Sequence, residues 1–477
     1  MVIAKVSEHR TDSPNNLKNT QNLLYLDIFR CLAIIGVVGV HLLADLEISP
    51  VKFYPSGEGI VSNLSALFTY TVSGNSLKGI GLQLFQLCLK FGWQAVHIFI
   101  FISGFGLYLS YLRASDNLTY KSANELGLRF WLKWLKRRMN RVLPKYWVML
   151  TVIFVVKTGI AVLDALADRE AFSRPVVLFI QYLMSLSLIR GFSQASFFAL
   201  AGAFWYIPLI VGLYLAFPIL VYFLCNRRLS MPILLLGTVL LSLNYRFIVN
   251  IDPCATPIPF QIHESCQNPW DWNLHKLISI HVPYGIFLAR LPEFVLGMWL
   301  ARLQVQGTLK QIFGCWQTRL KVLTAGIAVW GLGNITSYYK ASWPLCDCLI
   351  GFGLVAILLA VFYGSEHSPV RYLSAGIKAL SEVSYEIYLV HQLVFFLLSR
   401  FLAVEALGYA PFCLVYLGLA LAAACWLNYA CRGLTIDRVP LVNGLYRLVE
   451  HQVVRQFKYS TSSGQSVMAS KRMFEKL

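Results

Sequence analysis

The 477-residue chain is 57% hydrophobic and only 13% charged, with a mean hydropathy of +0.60. That is more apolar than a soluble core requires, so the composition excludes an ordinary soluble domain and predicts an all-α polytopic membrane protein with the lipid bilayer as its partner. Forty-one Lys and Arg against 23 Asp and Glu leave a net charge of +18; in a soluble chain this would raise nucleic acid as a partner, but here the positive-inside rule accounts for it.

Residues 1–22 are polar and lack both an apolar core and a small-residue cleavage site, so they predict a cytoplasmic segment ahead of an uncleaved first span. That span, 25–45, reads YLDIFRCLAIIGVVGVHLLAD and is long enough to cross a bilayer while holding Arg30 and His41. A loop of mixed polarity, 46–91, precedes the second span at 92–112. Nine basic residues against two acidic ones follow in 113–145, which places this segment and the N-terminus in the cytoplasm. The third span is expected at 146–163. The next apolar stretch, 175–204, is broken by Arg190, Gly191 and Gly202, and the positions of Arg227, Arg228, Arg302, Lys310, Arg319 and Lys321 fit the inside rule only if it does not cross completely.

The remaining spans are expected at 205–225, 231–249, 284–302, 321–338, 345–363, 383–402 and 411–431, giving about ten crossings with both termini inside. The loop 250–283 then lies outside, where Cys254 and Cys266 could be bridged if that side is oxidising. The other cysteines show no zinc-type spacing, and several lie in apolar spans, where packing is their expected role. Residues 432–477 form a cytoplasmic tail, apolar-poor and expected to be disordered from about His451. There is no fixed-period repeat, Walker loop or dinucleotide fingerprint.

Ionisable groups inside spans are costly and mark candidate sites. Arg30 and His41 are eleven positions apart, about 16 Å in depth and within about 20° of one helix face. A buried imidazole can exchange a proton near neutral pH, and a guanidinium nearer the surface can hold an anion. Against this, Arg30 can snorkel or pair with Asp27, and His41 can hydrogen-bond a neighbouring helix. In RRMNRVLPKYW, 137–147, Arg137, Arg138 and Arg141 form one cationic helix face that Pro144 is expected to end. Such a face suits phosphates, with Tyr146 beside it, or anionic headgroups of the lipid.

His97 and His391 join His41 as intramembrane histidines that could line one cavity; no two share a helix at metal-binding spacing and no carboxylate is expected level with His41 or His97, so no metal is expected. Glu293 in RLPEFVLGMWLAR, and Glu386 with Tyr388 in SEVSYEIYLVHQ, are either substrate-binding or paired with nearby arginines. Ser103 in SGF, 103–105, reads as close helix packing ahead of a nucleophile, because no base is visible on that helix.

Taken together, YLDIFRCLAIIGVVGVH with its Arg-x10-His, then VHIFIFISGF, RRMNRVLPKYW, FWYIPLIVGLYLAFPIL, RLPEFVLGMWLA and SEVSYEIYLVHQ, resemble in order the membrane acyltransferase family 3 over about residues 23–430. The resemblance implies an inner-membrane, multi-pass O-acyltransferase that carries an acyl group, usually acetyl, from cytoplasmic acyl-CoA to a hydroxyl of a cell-surface glycan, exopolysaccharide or glycolipid. It implies His41 and Arg30 as catalytic, Arg137, Arg138, Arg141 and Tyr146 as donor-binding, and His97, Ser103, Glu293, Glu386, Tyr388 and His391 as contacts to substrate. Cys31 stands where the family usually has Gly, and His97 where an acid is common. Some relatives carry a further esterase-like domain after the last span; the 45 or so residues here are too few for one. The rival is a transporter or flippase for a lipid-linked glycan in which the same buried His and Glu couple protons, which predicts paired repeats that the sequence does not show. A purely structural scaffold leaves His41 and Glu386 without a purpose.

Overall fold

The computed structural model describes residues 23–46, 91–117, 128–168, 173–192, 194–226, 229–250, 285–337, 339–365, 368–402 and 408–435, with six single positions between 65 and 89. Segment 1–22, Arg227 and Arg228, the Cys254 and Cys266 loop and the tail from His451 lie outside the described residues. No strand occurs among those described, and the helices carry the fold. They are α1 (Leu24–Asp45), α2 (Ala95–Asn117), α3 (Leu128–Asp168), α4 (Ser173–Leu186), α5 (Tyr206–Asn226), α6 (Met231–Asn250), α7 (Leu291–Val305), α8 (Thr308–Gly314), α9 (Trp316–Thr336), α10 (Trp343–Phe362), α11 (Ser374–Phe401) and α12 (Tyr409–Ala430).

Seven of the described helices are long and apolar enough to cross a membrane: α1, α2, α3, α5 with its preceding turn, α6, α10 and α12. The chain is a multi-pass membrane protein. The spans expected at 284–302, 321–338 and 383–402 are realised as α7, α9 and α11, and each departs from a simple apolar crossing for a visible reason. Helix α7 has only 15 residues, about 22 Å. Helix α9 opens on Gln317, Thr318, Arg319 and Lys321, and α11 carries Lys378, Glu382, Glu386 and His391.

Two further boundaries differ from expectation. Helix α3 runs for 41 residues with Pro144 in its interior, so the proline does not end the basic face. A proline removes one hydrogen bond but can be carried within a helix that packing supports. The basic segment and the third span are therefore one rigid rod. The stretch 175–204 is not one helix: α4 covers 14 residues, followed by single helical turns at Arg190–Phe192, Gln194–Phe197 and Gly202–Trp205. Irregular backbone inside a membrane protein needs internal hydrogen-bond partners. Arg190, fully buried, supplies them through Nε and Nη2, donating to the carbonyls of Phe197 (2.7 Å), Ala199 (2.8 Å) and Ala201 (3.2 Å). Leu188 and Leu200 bracket this stretch with φ of 63° and 62°, uncommon values for a bulky side chain, and the Arg190 bonds to Ala199 and Ala201 flank Leu200 on both sides.

Helix α1 packs between α2 and α11. Near its start Arg30 and Cys31 meet Ser381 and the Ile377 carbonyl of α11, and about three turns on His41 meets His391. The two helices are parallel, and the polar face of one is laid on that of the other. Helices α2 and α7 cross antiparallel at Gly104 and Gly297, where a Cβ on Gly104 would overlap the Phe294 carbonyl and one on Gly297 the Phe101 carbonyl. Since lipid tails give helices no hydrophobic reason to associate, small residues that admit close backbone approach hold such pairs. Gly104 of the SGF segment has the packing role expected of it.

Candidate active site

At the basic end of the bundle, α1, α2, α3, α5, α11 and the turn after α12 enclose a cleft of about 800 Å³. Six cationic side chains line it, Arg30, Arg138, Arg141, Lys145, Lys378 and Arg432, against three carboxylates, Asp27, Glu382 and Glu386. The surplus follows from register. Positions 138, 141 and 145 are three and four apart, so α3 turns all three to the same side. Arg138 lies over the Trp134 ring, its guanidinium carbon 5.6 Å from the centroid, and Trp134 stacks on Phe217 of α5 at 4.9 Å. Arg137 falls off this face and is exposed, outside the cleft wall.

Arg30 Nη1 donates to Asp27 Oδ1 at 2.8 Å, and the same oxygen accepts from Ser381 Oγ at 2.8 Å. The pairing expected on sequence exists, yet Arg30 remains 37% exposed and on the cleft wall. Lys145 is ion-paired with Glu386 and donates to Asn428 Oδ1 at 3.0 Å, so Glu386 is answered by a lysine and not by an arginine. Ser103 and Tyr388 also line the cleft. Tyr146 does not: it is fully buried and donates to the Ser185 carbonyl at 2.9 Å, tying α3 to α4.

Phe99, Tyr206 and Tyr388 wall both this cleft and a second, smaller cavity of about 50 Å³ that reaches His41, Trp93, Val96 and Arg290. His41, 8% exposed, has Nδ1 at 2.8 Å from the Val37 carbonyl and 3.3 Å from Nε2 of His391; His391 Nδ1 is 2.7 Å from the Tyr388 carbonyl. The two rings are 5.1 Å apart at their centroids. Tyr388 donates through its hydroxyl to the Ala203 carbonyl, and the Ala203 N–H donates to Gln392 Oε1 at 2.8 Å. Helix α11 thereby fixes the irregular 202–205 turn against the wall of the His41 cavity.

His97 lies apart from this pair. Its Nδ1 is 3.1 Å from Glu293 Oε1 and its Nε2 3.4 Å from Asp347 Oδ1, so the expectation that no carboxylate lies level with it is corrected. Arg290 Nη1 bonds Glu293 at 3.3 Å and Asp347 at 3.1 Å, and Arg246 Nη1 bonds Asp347 at 3.2 Å. All five side chains are at most 5% exposed. The cluster unites α2, α6, α7, α10 and the turn before α7. The three histidines therefore do not line one cavity: neither His97 nor Glu293 reaches the cleft or the His41 cavity, and Arg290 is the member of their cluster that faces it. No group of three or more His, Cys, Asp or Glu among the described residues is arranged to hold a metal ion.

A family model described as an acyltransferase domain matches residues 23–429. The chain belongs to acyltransferase family 3. No curated protein and no solved structure matches it. Membership makes the protein a membrane acyltransferase, and a cleft with a cationic surplus beside a buried imidazole is an arrangement such chemistry can use. Sequence reasoning missed Lys145, Lys378, Glu382, Tyr206 and Arg432 in the cleft and three of the buried cluster, Arg246, Arg290 and Asp347. Lys145 carried a usable signal, since it continues the 138, 141 spacing by one more turn; Lys378 and Arg432 sit at helix ends where the inside rule already accounted for them.

Proposed function

We propose that this membrane acyltransferase moves a short acyl group, acetyl first, from acyl-CoA to a hydroxyl of a cell-surface glycan, exopolysaccharide or glycolipid in the inner membrane. The observation that carries the reading is the shared wall: Phe99, Tyr206 and Tyr388 stand between a cationic cleft and the cavity that contains His41. The donor's phosphates rest on Arg138 and Arg141, with Arg30 alongside, at the cytoplasmic end. Its thioester arm extends past the three aromatic residues, the about 16 Å that separates Arg30 from His41 along α1. A cavity of about 50 Å³ has room for on the order of three or four water-sized groups, which suits a two-carbon acyl chain.

There His41 Nε2 accepts the proton of the acceptor hydroxyl as its oxygen attacks the thioester carbonyl. The new C–O bond forms, the C–S bond breaks, and the proton passes from the imidazolium to the departing thiolate, leaving ester and free thiol. Positioned base catalysis of this kind supplies about 10²–10⁴-fold. Mass spectrometry of envelope glycans and lipids from cells producing the protein or its His41→Ala variant tests the reading. Loss of an acyl mark with His41→Ala, at equal protein in the membrane, is expected; an unchanged mark contradicts it.

A further inference from the structure

We propose that His391 is a positioning residue for His41: its Nε2 accepts a hydrogen bond from His41 Nδ1–H, which keeps the proton on Nδ1 and leaves His41 Nε2 as the basic nitrogen. The inference rests on His41 being the base. The assignment of protons follows from two carbonyl groups. A carbonyl oxygen only accepts, and a neutral imidazole has one N–H and one lone pair. With the Tyr388 carbonyl 2.7 Å from His391 Nδ1, the proton of His391 is on Nδ1, because a lone pair there would face another lone pair. His391 Nε2 is therefore an acceptor.

The Val37 carbonyl, 2.8 Å from His41 Nδ1, demands the same of His41, whose N–H is then shared between Val37 and His391 Nε2 at 3.3 Å. The opposite pair of tautomers would set lone pair against lone pair at both carbonyls. Both carbonyls belong to helical backbone, Val37 four residues before His41 and Tyr388 three before His391, so neither can swing away. When His41 takes up a proton on Nε2, its Nδ1–H becomes the donor of a charge-assisted bond to His391, which strengthens as charge develops. His391 thus favours the state the reaction passes through without touching donor or acceptor.

Steady-state transfer from acetyl-CoA by the full-length protein in liposomes, with the envelope glycan fraction as acceptor, tests this. His391→Leu is expected to lower kcat on the order of 100-fold with KM for acetyl-CoA within about twofold of the parent. His391→Gln, whose amide oxygen can accept the same Nδ1 proton, is expected to recover most of that loss. A residue needed only for packing would give the reverse order, since Leu packs and Gln brings an extra polar group. Unchanged kcat in His391→Leu, or equal loss in both variants, overturns the pairing. If neither variant folds, ¹⁵N spectra of histidine-labelled parent protein decide: a protonated Nδ1 and bare Nε2 on His41 are expected, and the other tautomer refutes the proposal. Full transfer by His41→Ala would instead sink the base itself, a result distinguishable from a silent His391.

Discussion

The molecule holds two assemblies of charged side chains a few turns apart, and they are built on opposite principles. The His97 cluster sets two arginines against two carboxylates with an imidazole between them, each at most 5% exposed, and of the five only Arg290 reaches the wall of a cavity. The cleft sets six cations against three carboxylates and is open. Buried ion pairs roughly cancel their own desolvation, so a balanced cluster contributes specificity of packing among five chain segments and little net attraction for anything else. An unbalanced, wet one leaves charge for a ligand to neutralise. Charge count and access, more than the mere presence of Arg or Glu in a span, separate scaffold from site.

The comparison can be broken most severely at Asp347. Asp347→Ala leaves Arg246 and Arg290 with too little opposing charge in a closed space, a loss expected to cost about 3–5 kcal/mol and to be read as a large fall in melting temperature in detergent. Stability equal to the parent would deny that the cluster is structural. Next in size, Arg138→Gln or Arg141→Gln removes a charged hydrogen-bond donor from the cleft and is expected to weaken acetyl-CoA binding about tenfold each, with the melting temperature unmoved. Smallest is Arg400→Gln, which breaks the pair with Asp164 at 3.0 Å between half-exposed side chains; a change of at most about 1 kcal/mol is expected, and a larger one in thermal unfolding would show that exposed pairs here behave like buried ones.

Much of the α1 face was readable beforehand because it depends on one period. Eleven residues bring Arg30 and His41 to the same side of a helix, and the structure lays both on α11, one beside Ser381 and the other beside His391. The Arg138 and Arg141 spacing was legible on the same ground. What stayed hidden depends on pairings between distant segments. His97 met two carboxylates from α7 and α10, 196 and 250 positions away in sequence, and no local pattern announces that. Pro144 misled because a rule about isolated helices gave way to packing along a 41-residue rod. Lys378, Glu382 and Glu386, which interrupt the apolar run of α11, all line the cleft, so the polar breaks in that span mark the site.

The central claim, that the cationic surplus of the cleft exists to hold the donor, is tested most directly by equilibrium binding of labelled acetyl-CoA to purified parent protein and to the Arg138→Gln, Arg141→Gln double variant at low and high salt. The account predicts binding that falls with salt in the parent and drops on the order of 100-fold in the double variant. Equal affinity in the two proteins would contradict it.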